Sequence, residues 1–180
     1  MKTRTEMAKF LYDTYGFSDP LAWKLRGGGV QRYHTEPLPR QSVAEHSWRV
    51  RVIIDHLWPD ASQELKDAAI YHDVHEGLIG DLPAPTKRLG KIKESINEIE
   101  DDFERYLGLN LILSLPDHLR LKVADYLELV LYCAEHMNNR ARAVQKNGIK
   151  YVQEAAEGLD QAEKDRVLNL LLYCTGGFFD

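Results

Sequence analysis

The sequence predicts an all-α protein folded as a single domain over residues 1–180. Three observations carry that expectation. Apolar residues recur at three- and four-residue spacing in one segment after another, and no segment alternates apolar and polar residues as a half-buried strand would. No repeat of fixed period divides the chain. At 180 residues it can bury a real core and is short for two domains.

The elements follow in order. Residues 4–15 carry Met7, Phe10, Leu11 and Tyr15 at helical spacing. Pro20 to Arg26 reads as a further turn or two of helix, ended by Gly27-Gly28-Gly29. Those glycines are not a phosphate-binding P-loop, because no preceding strand and no G-x-x-x-x-G-K-[ST] pattern accompanies them. They read as a flexible hinge.

The proline-broken stretch 30–41 gathers Arg32, Tyr33, His34 and Arg40. Ser42-Val43-Ala44-Glu45 is a capping-box pattern opening a helix to about Trp58, with Val43, Trp48, Val50, Val52, Ile53, Ile54 and Leu57 as its apolar surface. Asp60-x-x-Gln63 signals the start of the helix that delivers His72 and Asp73. Residues 91–107 place Ile92, Ile96, Ile99, Phe103 and Tyr106 on one side, stopped by Gly108. The acidic residues Glu98, Glu100, Asp101, Asp102 and Glu104 read as a solvated face. Pro116-Asp117 starts a long helix with Val123, Leu127, Val130 and Leu131 inward, and Asp125 falls within that stripe. Asn147-Gly148 predicts a break, and Asp160-x-x-Glu163 caps a last helix carrying Val167, Leu168, Leu170, Leu171 and Leu172. The tail Gly176-Gly177-Phe178-Phe179 is expected to pack locally or at a subunit contact.

Composition excludes several classes of function. A net charge of −5 argues against general binding to a nucleic-acid polymer, which needs a basic face, yet leaves room for a local pocket for a small anion. Cys133 and Cys174 show no metal or redox spacing and read as buried free thiols, suited to a reducing cytoplasm. No basic-then-apolar leader opens the sequence, and no apolar run is long enough to span a membrane.

Residues 71–88 carry the chemistry. A His-Asp pair alone is uninformative, since about half such a pair is expected by chance in a chain of this composition. Its company is not: Glu76 lies one turn on, Asp81 in a Gly/Pro loop, and Lys87 beyond a Pro-x-Pro. On one continuous helix His72, Asp73 and Glu76 would share a face, where buried charge must be paired or hold a metal. His46 sits in a helical first turn, which disfavours its cationic form and keeps it competent as a ligand.

His46, His72, Asp73 and Asp125 together form a donor set for one first-row divalent ion such as Mn²⁺, Co²⁺, Fe²⁺ or Zn²⁺. The absence of thiolates argues against a closed structural zinc site. Such an ion lowers the pKa of bound water and neutralises phosphoryl charge, and Glu76 is placed to act as acid or base. Lys87 and Arg32 are the candidate phosphate clamps. His75 has no assigned role and reads as a surface histidine.

The blocks Glu45-His46-Ser47, His72-Asp73-x-x-Glu76, Gly80-Asp81-Leu82-Pro83-x-Pro85-x-Lys87 and Ala124-Asp125, in this order, resemble the HD-domain phosphohydrolases. The likeness covers roughly residues 30–135. Within that superfamily it is strongest to bacterial 5′-deoxynucleotidases and to short phage-encoded dATP triphosphohydrolases, which act in the host cytoplasm.

The resemblance implies a helical HD bundle with His46, His72, Asp73 and Asp125 as metal ligands and Glu76 as the catalytic carboxylate. Asp81 would lie near the sugar or the attacking water, Arg32 and Lys87 would hold phosphate, and Tyr33 and Pro85 would contact sugar and base. The family's Arg-Trp pair, whose indole helps exclude a ribose, stands here as Arg32-Tyr33, and a tyrosine is smaller and brings its own hydroxyl. The implied reaction is hydrolysis of the 5′-phosphate ester of a 2′-deoxynucleotide, releasing phosphate or triphosphate. A triphosphate would bring additional Mg²⁺, and a homo-oligomer is implied. A nucleotide sensor without turnover fits less well, because no motif residue is missing. Hydrolysis of another nucleotide, such as an alarmone, fits less well because those enzymes usually carry extra domains.

Overall fold

The computed structural model describes residues 2–33, 38–87, 90–109, 111–136 and 141–176, apart from the side chains of Ala84, Pro85 and Lys91. Ten helices make up most of the described chain: α1 Arg4–Tyr15, α2 Pro20–Gly28, α3 Val43–Leu57, α4 Gln63–Tyr71, α5 Glu76–Ile79, α6 Ala84–Lys87, α7 Gly90–Tyr106, α8 Leu115–Glu135, α9 Ala141–Ala156 and α10 Gln161–Cys174. The fold is helical, as the periodicity predicts. Two short strands were not expected: β1 Gln31–Arg32 pairs antiparallel with β2 Gln41–Ser42, Arg32 facing Gln41. At two residues each they are too brief to show alternation in sequence.

Polar caps fix where the helices begin. Ser42 Oγ accepts from the Glu45 N–H at 3.1 Å, the serine half of the expected capping box. Ser62, not Asp60, caps α4, because its hydroxyl lies within reach of the Leu65 N–H at 3.1 Å. Ser114 caps α8 with Pro116 inside its first turn, and Asp160 caps α10.

The main core joins α3, α4, α8, α9 and α10 through residues such as Ile54, Leu65, Leu127, Val152 and Leu171. A second cluster joins α1, α2 and α7 through Met7, Leu11, Trp23 and Phe103, and takes in Val74 from the segment after α4. Trp48 and Val52 lie outside the core, 63% and 45% exposed, so the apolar surface expected of α3 is narrower than its composition suggests. Ile92 and Ile99 are likewise exposed on α7. Cys133 is buried and Cys174 half-buried, both as free thiols.

The glycines depart most from expectation. Gly27 and Gly28 are not a hinge but the last turn of α2. A Cβ on Gly27 would lie 2.5 Å from the Val74 carbonyl oxygen, and one on Gly77 would lie 2.9 Å from the Gly27 backbone. Glycine is present because two backbones touch there. Gly148 does not break a helix either. It sits inside α9, where a Cβ would meet Val130 at 2.9 Å, so it lets α9 approach α8 closely. The Phe178-Phe179 tail lies outside the described residues.

Candidate metal centre and phosphate pocket

Four elements deliver the site. The β1–β2 pair runs directly into α3, which carries His46 in its first turn. Helix α4 ends at Tyr71, residues 72–75 form turns, and α5 restarts at Glu76. The single helical face expected for His72, Asp73 and Glu76 is therefore broken at the His72-Asp73 pair. Asp125 comes from the middle of α8.

Their donor atoms converge. His46 Nε2 lies 3.2 Å from His72 Nε2, 3.2 Å from Asp125 Oδ1 and 3.6 Å from Asp73 Oδ2, and His72 Nε2 lies 3.6 Å from that same Asp73 oxygen. Ligands held about 2.0–2.2 Å from one tetrahedral ion stand roughly 3.3–3.6 Å apart. The donor atoms of His46, His72 and Asp125 all lie within 4.8 Å of one another, a group that could hold a divalent ion, and Asp73 stands 3.6 Å from both imidazoles while its own three-residue group is with His75 and Glu76.

The other face of each ring is tied down. His46 Nδ1 lies 2.8 Å from Glu128 Oε2, and His72 Nδ1 lies 3.1 Å from the Ala69 carbonyl. With the proton on Nδ1, each Nε2 lone pair is left for the ion. Glu128 is fully buried and also accepts from Gln41 Nε2 and Arg49 Nε, each at 2.8 Å.

Electrostatics match the geometry. Burial and Arg32 oppose protonation of His46, but hydrogen bonds to Asp125 and Glu128 outweigh them and raise it to about 8. The neutral imidazole expected from its helix position thus depends on a cation taking the proton's place. Burial opposes the charge on Asp73, yet His72, Arg32 and His46 hold it well below the usual carboxylate range. Burial and the neighbouring Asp73 charge push Glu76 up to about 7, against the pull of Lys87 and Arg32.

Lys87 Nζ donates to Glu76 Oε1 at 3.0 Å, so the structure pairs the residue expected to clamp phosphate with the one expected to act as acid or base. Among the described residues Glu76 Oε2 has no hydrogen-bond partner. Arg32 stands with its guanidinium 5.2 Å from the centre of the Tyr33 ring, and its buried Nη1 has no hydrogen-bond partner among the described residues. Tyr33 adopts a left-handed φ of 63°, donates its N–H to Asp81 Oδ2 at 3.1 Å and stacks on Tyr132 at 5.4 Å. Its buried hydroxyl likewise has no hydrogen-bond partner among the described residues. Asp81 thus touches the backbone that aims Tyr33. The Pro85 side chain lies outside the described residues.

A cavity of about 250 Å³ opens over the centre, lined by Arg32, Tyr33, Asp73, Glu76, Asp81, Lys87 and Asp125, and further by Leu82, Pro83, Tyr126, Leu129, Val144 and Tyr151. Sequence reasoning missed Glu128, although a second carboxylate three residues after Asp125 on the same inward helix face was a readable signal. It also misplaced His75. That residue is 4% exposed, with Nε2 2.9 Å from Glu100, so neither is simply solvated. Asp102, read as solvated, is buried with Arg105 Nη1 at 2.9 Å.

Glu128→Gln is expected to weaken Co²⁺ affinity about 10–100-fold, the usual cost of losing a carboxylate behind a ligand histidine. Equilibrium dialysis would show it. Unchanged affinity would remove Glu128 from the support of His46.

Two imidazoles and two carboxylates drawn from α3, α8 and the turn after α4, with a buried glutamate beside them, are the arrangement of the HD class of metal-dependent phosphohydrolases. The chain belongs to the family described as 5′-deoxynucleotidase YfbR-like, whose profile matches residues 29–159. It is 27% identical over 154 residues to a dATP triphosphohydrolase of Salmonella phage PMBT28, covering 73% of this chain and 77% of that protein. It is 31% identical over 111 residues to 5′-deoxynucleotidase PM0747 of Pasteurella multocida, covering 54% and 53%. The solved cyanophage S-2L HD phosphohydrolase DatZ, bound to dA and one catalytic Zn²⁺ ion, shares the fold. Its TM-score is 0.74 at 21% identity, over 86% of this chain and 96% of that one. The chain is thus an HD-family deoxynucleotide phosphohydrolase with a side-chain group that could hold a metal ion.

Proposed function

We propose that this phosphohydrolase cleaves the 5′ ester of a 2′-deoxyadenosine nucleotide, dATP foremost, releasing deoxyadenosine and the intact phosphate chain. The observation that carries the reading is the pair of orphaned buried polar groups, Arg32 Nη1 and Tyr33 Oη, beside the four-donor cluster. A buried donor without a partner is costly, and a phosphoryl oxygen and a sugar hydroxyl would satisfy both. The adenine and triphosphate parts rest on the phage relative matched over most of its length.

His46, His72, Asp73 and Asp125 would hold one Zn²⁺, Co²⁺, Mn²⁺ or Fe²⁺. When bound, that ion supplies Lewis acidity at the phosphoryl group and activates water. Arg32 holds the phosphoryl oxygens, and the Tyr33 ring crowds the position a 2′-hydroxyl would occupy. Glu76 accepts a proton on Oε2 while Lys87 fixes Oε1. Mg²⁺ would accompany a triphosphate.

A monophosphate substrate is the second reading. It is favoured because Arg32 and Lys87 are the cations among the described lining residues, and Lys87 is already paired with Glu76. We also place the protein in the cytoplasm as a homo-oligomer without a nucleic-acid polymer partner. Among the described residues no helix is long and apolar enough to cross a membrane.

The test is a panel of dAMP, AMP, dATP, ATP and the other deoxynucleotides with Co²⁺ or Mn²⁺, with products separated as phosphate, pyrophosphate or triphosphate. Triphosphate from dATP supports the first reading, and phosphate from deoxynucleoside monophosphates alone supports the second. No product from metal-loaded protein would overturn both.

A further inference from the structure

We propose that Tyr126 and Tyr151 form the platform on which the nucleobase stacks, which deepens the proposed function and rests on that reading. The cavity lining divides by element. Charge comes from Arg32, Asp73, Glu76, Asp81 and Lys87, all before α7, together with Asp125. The rest of the wall that α8 and α9 supply is apolar or aromatic: Tyr126 and Leu129 from α8, Val144 and Tyr151 from α9. The two tyrosine rings stand 5.3 Å apart at 39°, and both side chains are half-buried.

Tyr126 and Tyr151 line the same cavity as Asp125, so a nucleotide with its phosphate end at the charged wall has aromatic rings within reach in one pocket. A deoxynucleotide has this same polarity, an anion at one end and a π-face at the other. Stacking on aromatic side chains tolerates any base, so the pair supplies affinity, and choice among bases falls to the surrounding edges. The competing role for two rings bridging α8 and α9 is to fasten those helices together, which the experiment must separate.

The experiment measures binding of deoxyadenosine, the product left by either phosphate-chain length, to Co²⁺-loaded protein. Isothermal titration gives the Kd for wild type, Tyr126→Ala, Tyr151→Ala and the two Phe variants, with inorganic triphosphate as a second probe and the Co²⁺ absorption spectrum recorded for each. Base stacking is lost on truncation at about 5–150-fold in Kd per ring. Each Ala variant should weaken deoxyadenosine binding within that range, with the Phe variants close to wild type and triphosphate binding and the Co²⁺ spectrum unaltered.

Ala variants that bind deoxyadenosine like wild type would overturn the proposal. So would Ala variants that lose triphosphate equally or shift the Co²⁺ spectrum, since the rings would then be holding the helices. Deoxyadenosine bound through the rings with no hydrolysis of any panel substrate would instead retire the catalytic reading alone.

Discussion

Asp73→Ala is expected to lower kcat by about 10³-fold or more, because a catalytic divalent ion contributes several kcal/mol of transition-state stabilisation. Asp73 is the residue through which the two sides of the site meet. Its Oδ2 lies 3.6 Å from both His46 Nε2 and His72 Nε2, and its charge is one of the two causes raising Glu76. Removing it strips a donor from the ion and weakens the force that keeps Glu76 protonated near neutrality. The variant should therefore bind less Co²⁺, measured by metal analysis after gel filtration, and release no detectable product from the best panel substrate. Full activity with normal metal content would exclude the cluster as the catalytic centre.

The second large effect belongs to Glu76. Glu76→Gln should cost about 10²–10⁴-fold in kcat, the range for loss of a positioned general base. The pH profile gives a sharper reading. Its carboxyl sits at about 7 instead of the ordinary carboxylic range, so the proton-accepting form is the minority below pH 7 and grows as pH rises. With Glu76 as base, kcat/KM should climb about tenfold per pH unit below 7 and level off above it. The Gln variant should lose that limb. A wild-type rate that falls through pH 7 while Glu76→Gln abolishes the fall would reverse the role, making Glu76 the acid.

Much of this was legible in the sequence. Helical periodicity located α1, α3, α7 and the starts of α8 and α10 to within a residue or two, because each buries one stripe against the core, but it did not separate α9 from α8. The four candidate ligands could be grouped from residue chemistry and motif order, and in the structure His46 Nε2 lies within 3.6 Å of a donor atom of each of the other three.

What could not be read depends on tertiary proximity. Gly27-Gly28-Gly29 and Asn147-Gly148 look like breakers in one dimension. Only the neighbours Val74 and Val130 show that the first group closes a helix against another backbone and that Gly148 continues one. His75 and Glu100 lie far apart in sequence, so neither announced the other. Glu128 differed. Its spacing from Asp125 was visible, but its importance arises from Gln41, Arg49 and His46 converging on one buried carboxylate. The breaking of α4 at Tyr71 was hidden for the same reason, since residues 72–76 are compatible with a continuing helix until their contacts are known.

The meeting of Gly27 with Val74 and Gly77 has a consequence for how the enzyme can be altered. Two main chains in direct contact leave no side chain to act as a shim, so the distance between them is set by atomic radii. The segment so fixed carries Asp73 on one side and Glu76 on the other, in a class of site where about half an ångström separates productive from idle geometry. An alanine at Gly27, which would ordinarily favour a helix, would here displace the ligand loop and be felt at the metal. In directed evolution this junction should behave as a fixed datum, with variation in substrate preference drawn from the walls around it.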